Sequence, residues 1–231
     1  MNIITTTTRT VAIAAALSIA GLAASPAWAG PVTGTNSIAQ SIPDNTLAGV
    51  SSVINFGTSG LINANSLSVA VAIGHTWLGD LVVTLSNGSN TVTLMDRPGT
   101  PTIFNVATAG DSSNLSVTRP LTFTDAASIL NPAEAMGALC TGSQTVGDDL
   151  LCSNTVFLPQ QPLSVFNGTN IQGNWTLNVS DRASLDVGRL ASWTLNADVS
   201  TQVPEPGSLA LVGLALAGMG VVTARRKAAK A

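Results

Sequence analysis

The residues that could do chemistry in this chain are few. His75 is the only histidine in 231 residues, and Cys140 and Cys152 are the only cysteines. Histidine is the side chain that changes charge near neutral pH, so His75 could bind a metal, act as a base, or serve as a hydrogen-bonded structural group. Asp80, Asp181 and Asp186 stand at turns, and Ca²⁺ takes six to eight oxygen ligands, often from loop carboxylates and carbonyls. A calcium site built on these three aspartates is one expectation. The alternative is structural. Asp80 follows Gly79 where a turn enters a strand, a place for an Asx-turn, and Asp186-Val187-Gly188 reads as a tight turn. No D-x-[DN]-x-[DN]-G loop is present, so an EF-hand is excluded. Trp77, in the turn before Asp80, is the tryptophan expected at the surface and a candidate ligand contact.

Other chemistries fall away on residue type. Two cysteines and one histidine cannot complete a four-ligand zinc site by themselves. Cys140 and Cys152 lie twelve apart, without Cys-x-x-Cys and without a nearby histidine. A disulfide between them would close a short loop and stabilise by roughly 3 kcal/mol in the chain-entropy model. Gly-x-Ser-x-Gly, His-Glu-x-x-His and a phosphate loop are all absent. Gly57-Thr58-Ser59-Gly60 reads as a turn between strands, since nothing around it continues a serine-nucleophile signature. The chain is expected not to be an enzyme.

The apolar residues amount to 45% and the charged ones to 9%, with nine Lys and Arg against 12 Asp and Glu. Nucleic-acid binders carry a basic footprint, which is missing here, and a disordered polyelectrolyte would be far less apolar.

Both ends of the chain read as addresses. Arg9, the apolar run Val11 to Ala24, the break at Pro26 and the small-x-small triplet Ala27-Trp28-Ala29 make a secretory signal, with cleavage expected between Ala29 and Gly30. At the other end Val203-Pro204-Glu205-Pro206-Gly207 precedes an apolar span from Ser208 to Thr223, followed by Arg225-Arg226-Lys227. Positive charge after an apolar span marks a cytoplasmic end. This Pro-Glu-Pro motif, span and basic tail resemble the PEP-CTERM sorting signal of Gram-negative bacteria. The resemblance implies export through the inner membrane and a hydrophobic anchor helix before processing. It also implies reading by an exosortase-type sorting protease and a place in the cell envelope, on the cell surface or in the extracellular matrix.

Setting the two addresses aside divides the chain into a signal peptide (1–29), a central module (30–202) and the sorting signal (203–231). The module holds four arginines against eleven acidic residues, a balance of −7, and no lysine. That charge disfavours anionic lipid and nucleic acid as partners. Its length can bury roughly 70% of the unfolded surface, enough for one core. Leu67–Ile73, Trp175–Val179 and Trp193–Val199 alternate with period two, and Val50–Phe56 and Leu121–Thr124 are further strand candidates. Leu81–Leu85 and Thr91–Met95 flank Asn87-Gly88, which predicts a hairpin turning near 86–90. Between residues 30 and 202 only Ala126–Leu139 could make a helical turn, limited by Pro132. Asn131 to Pro162 reads as a long loop. Strands with one apolar face pack as two face-to-face sheets, so the fold is expected to be all-β, a β-sandwich.

Three stretches together resemble the P domain, or Homo B domain, of subtilisin-like proprotein convertases. They are Ile42-Pro43-Asp44-Asn45 with Gly49-Val50-Ser51-Ser52-Val53; Val69 through Gly74-His75-Thr76-Trp77-Leu78-Gly79-Asp80 to Leu85; and Phe166-Asn167-Gly168, Gly173-Asn174-Trp175 to Asp181, then Asp186-Val187-Gly188-Arg189-Leu190 to Leu195. The resemblance implies a jelly-roll β-sandwich of the galactose-binding-like type and a noncatalytic role, with His75 in a strand-to-loop motif. The segment from Asp96 to Arg119 and the Cys140–Cys152 stretch look like inserts. Trp175 and Trp193 are expected in the core.

Two functions follow as expectations. The chain is a noncatalytic surface module that binds an envelope or extracellular-matrix component, exopolysaccharide among them. Alternatively it is an accessory to a separate secreted subtilisin-like protease.

Overall fold

The computed structural model describes residues 29–99, 110–127, 132–136 and 155–200, with Gly213 alone beyond them. The proposed signal segment before Ala29, the cysteines Cys140 and Cys152, Pro204-Glu205-Pro206 and the apolar span apart from Gly213 lie outside the described residues. Among the described residues no helix is long and apolar enough to cross a membrane.

The described elements are strands and short 3₁₀ turns. The strands are β1 (Ala29–Asn36), β2 (Gln40–Ile42), β3 (Thr46–Phe56), β4 (Leu61–Ile62), β5 (Ser68–His75), β6 (Leu81–Ser86), β7 (Thr91–Asp96), β8 (Leu121–Thr124), β9 (Val156–Phe157), β10 (Gly173–Asp181) and β11 (Gly188–Ser200). They form two sheets. One runs β1-β11-β5-β8-β9, with β2 and β4 also paired to β11, and the other runs β3-β10-β6-β7. All pairings are antiparallel except β8 with β9. The fold is all-β with two sheets, as the alternation requires.

Period-two patterning explains the core. Leu190, Trp193, Leu195, Ala197 and Val199 of β11 face inward, as do Ser52, Ile54 and Phe56 of β3. A buried polar contact ties the sheets: the Trp193 indole N–H donates to Ser52 Oγ at 2.9 Å. Trp175 donates its own N–H to the Ile171 carbonyl at 2.8 Å and meets Phe166 edge-on at 4.9 Å between centroids. Each indole therefore buries its ring without stranding its donor. The predicted hairpin joins β6 to β7, where Asn87 Oδ1 accepts the Ser89 and Asn90 N–H groups and Gly88 takes φ +87°.

Some strands have no clear sequence signal. Ala29-Gly30-Pro31-Val32-Thr33-Gly34-Thr35-Asn36 is rich in strand-poor residues, yet it pairs with β11 over its whole length. Pro31 is tolerated because β1 is an edge strand. Gly34 is needed for close approach: a Cβ there would lie 2.5 Å from Ile54 Cγ2 and from Phe56 Cζ. The stretch read as a continuous loop, Asn131 to Pro162, instead contains β9 and a 3₁₀ turn at Ala133–Ala135. The 3₁₀ turn falls inside the Ala126–Leu139 stretch where the sequence allows a helical turn; β9 depends on its distant partner β8, so local pattern could not reveal it.

The register also orients the chain. Ala29 stands opposite Ser200, so the chain enters and leaves the sandwich at the same end. β11 then runs from Ser200 back to Gly188, roughly 40 Å at about 3.3 Å per residue.

Candidate functional site

At the Gly188 end of β11 the sandwich buries charge. β10 alternates along most of its length, then Val179, Ser180 and Asp181 are buried in succession. A register shift against β3 between Val179 and Asp181 produces this change and turns Asp181 under the sheet edge. Asp181 is fully buried and meets buried His75 across the sheets, Oδ2 to Nε2 at 3.2 Å. Its Oδ1 accepts the Ala183 N–H at 3.0 Å.

The tautomer of His75 follows from its partners. An ionised Asp181 needs a donor, so Nε2 carries the proton. In the neutral ring Nδ1 accepts the Trp77 N–H at 3.1 Å. In the charged ring Nδ1 donates to the Trp77 carbonyl at 2.8 Å. Either state is satisfied by protein groups, so the ring clamps the 75–77 turn to β10. The ring packs directly over Gly188, where a Cβ would run into Cδ2. The glycine of Asp186-Val187-Gly188 is thus required by the histidine.

Asp80 ends the 3₁₀ turn Leu78–Asp80 and is 2% exposed. Burial pushes its carboxyl up to about 6 from 3.8, and the neighbouring charges of Asp181 and Asp186 push the same way, against the opposing pull of His75 and Arg97. Asp186 accepts the Thr76 hydroxyl at 2.6 Å. The turns carrying Asp80, Asp181 and Asp186 therefore lie close enough to feel one another. Among the described residues, however, no group of three or more His, Cys, Asp or Glu is set to hold a metal ion. The oxygens named for Asp181 and Asp186 are held by His75, Ala183 and Thr76. Trp77 is half-buried, whereas Trp175 and Trp193 are each 1% exposed.

Beside this cluster lies an open cleft of about 530 Å³. It is lined by Ser41, Gly74, His75, Thr76, residues 114–117 and residues 187–189. Three of these form a row across the sheet: Ser41 of β2 opposes Arg189 of β11, which opposes Gly74 of β5. Gly74 makes the floor. A Cβ there would lie 3.2 Å from Val117 Cγ1 and 4.0 Å from Arg189 Cγ. The far wall comes from the segment after residue 110, which had read as an insert. Leu115 exchanges backbone hydrogen bonds with His75 at 3.0 and 2.8 Å, and Ser113 and Asp111 carbonyls accept from Leu78 and Gly79. Trp77 is not among the lining residues. Sequence reasoning picked out His75 and the aspartates, but missed Ser41, Gly74, the 114–117 wall and Arg189 as members of one surface. Gly74 and Arg189 sat inside the quoted motifs, where only their pattern was read.

Comparison with known families fits both ends of this picture. Residues 145–197 match the proprotein convertase P-domain, and residues 202–227 match the PEP-CTERM protein-sorting motif. Both resemblances drawn from the sequence are thereby supported, the first over its third stretch, since Ile42–Val53 and Val69–Leu85 fall outside the matched residues. The P domain is a noncatalytic module of proteases, and the sorting motif marks a chain for export and sorting at the Gram-negative cell envelope by exosortase-type machinery. Among solved structures, the chain is similar to a serine protease of Aeromonas sobria in complex with a chaperone, at TM-score 0.39 and 16% identity. The same serine protease by itself gives TM-score 0.38 and 16% identity. In each case the match covers 74% of this chain and 27% of the other, so this chain spans about a quarter of their length. No curated protein matches.

Proposed function

We propose that this protein is a noncatalytic module displayed at the cell envelope, which binds an envelope or extracellular-matrix component through the cleft beside His75. In this reading the signal is cut between Ala29 and Gly30, residues 30–202 are the displayed module, and Pro204-Glu205-Pro206 is the sorting motif. The observation that carries it is the register of β1 on β11. Because Ala29 lies opposite Ser200, both ends of the module lie roughly 40 Å along β11 from the cleft, which leaves the cleft clear of the residues that lead into the terminal segments. His75 fits structural support of that face, since both ring nitrogens are engaged within the protein.

The test is retention. Immobilised full-length protein is exposed to the polysaccharide and protein fractions of the host's extracellular material, with and without EDTA. Retention of a defined component, unchanged by EDTA, is expected. No retention from either fraction overturns the reading. A second reading, an accessory to a separate subtilisin-like protease, is favoured by the P-domain match alone. A secreted protease that co-purifies with the protein, and whose thermal stability rises on binding it, would decide for that reading.

A further inference from the structure

Among the described residues nothing neutralises the cation in the cleft. Of the arginines in the described residues, Arg97 donates to the Gly79 carbonyl at 3.1 Å, Arg182 donates to Ser180 Oγ at 2.9 Å, and Arg119 is also engaged. The Arg189 side chain makes no ion pair or hydrogen bond with the described residues, although the module carries eleven acids to four arginines. It is exposed, and its stem borders the glycine floor opposite Val117. Val187, 70% exposed, and half-buried Val117 add apolar surface, and Ser41, also exposed, stands beside Arg189.

We propose that this cleft captures the C-terminal carboxylate of a partner polypeptide whose last side chain is apolar. The inference rests on the reading above, that the cleft is the binding face, and names what it binds. A guanidinium presents paired N–H donors that match a carboxylate, and such charge-assisted bonds are roughly twice as strong as neutral ones. Val187 and the half-buried Val117, which packs over Gly74, supply the surface for an apolar terminal side chain. A polyanionic polysaccharide fits less well. The module's charge of −7 repels a chain of carboxylates, while a single terminal carboxylate meets only Arg189. A neutral sugar would want an aromatic platform, and no aromatic carbocycle lines the cleft.

Fluorescence polarisation of a labelled peptide ending Gly-Ser-Ala-Val-Leu, titrated with the full-length protein, tests this. The free acid is expected to bind at least tenfold more tightly than the same peptide as its C-terminal amide. R189Q is expected to remove that difference, and V187D, which places a carboxylate on the exposed apolar wall, to abolish binding. R189Q keeps the wild-type melting temperature because the side chain is exposed and unpaired. Equal binding of acid and amide, or an R189Q protein that still prefers the acid, overturns the proposal. So does oligogalacturonate binding in the cleft where the peptide does not. If the protein retains an extracellular component and R189Q retains it equally, the cleft inference falls while the display reading stands. If nothing is retained, the display reading itself falls.

Discussion

The two halves of β10 are built on different physics. Its first half buries Trp175 against Phe166, with every buried group apolar or satisfied within a few residues. Its last residue, Asp181, is a fully buried carboxylate whose partner His75 comes from 106 positions away. The first half stabilises in proportion to the area it removes from water. The second half holds charges that water would solvate better, and it is tolerable only while its partners stay in place. Stability is therefore concentrated toward the end where the chain enters and leaves. Specific geometry is concentrated at the end that carries the cleft.

Substitutions along this axis can break the comparison or sharpen it. The largest effect is expected for Trp175→Ala, about 3–5 kcal/mol from lost burial and a cavity, read as a fall in the urea midpoint. Asp181→Ala is expected to cost about 3 kcal/mol, since it leaves His75 Nε2 buried without its acceptor. A loss under 1 kcal/mol would show that the pair is not a structural clamp. Gly188→Ala is expected to cost about 1–3 kcal/mol by forcing the His75 ring aside. Peptide or matrix binding should fall with it, which separates this change from Trp175→Ala at equal residual folding.

The smallest effect has the opposite sign. Asp80 has a folded pKa of about 6, above the 3.8 of the free side chain, so the folded state binds the extra proton. Its unfavourable contribution is complete above pH 6 and fades as pH falls through that value toward 4. Asp80→Asn is expected to stabilise by about 1 kcal/mol at pH 7.5 and to lose that advantage near pH 4. Urea melts at both pH values check this. An Asp80→Asn protein less stable than wild type at pH 7.5 would mean that the charge is used by its surroundings.

Much of the fold was legible because strand patterning is local. β3, β5, β8, β10, β11 and the β6–β7 hairpin each carry period-two alternation or turn residues. β1 carried none, and it exists because β11 offers an unpaired edge along all eight of its residues. The acids and His75 were legible as residue types placed at turns. Their pairing was not, since a buried carboxylate looks the same in sequence whether a histidine, a backbone amide or a cation meets it.

What the sequence determined alone is the C-terminal sorting motif, the all-β patterning, and the shortage of catalytic side chains, because these depend on composition and on neighbours in the chain. Tertiary structure alone decided that Asp181 meets His75, that Gly188 lies under its ring, and that Ser41, Arg189 and Gly74 line up across three strands. Those facts depend on register, and register is settled only when distant strands share one buried face.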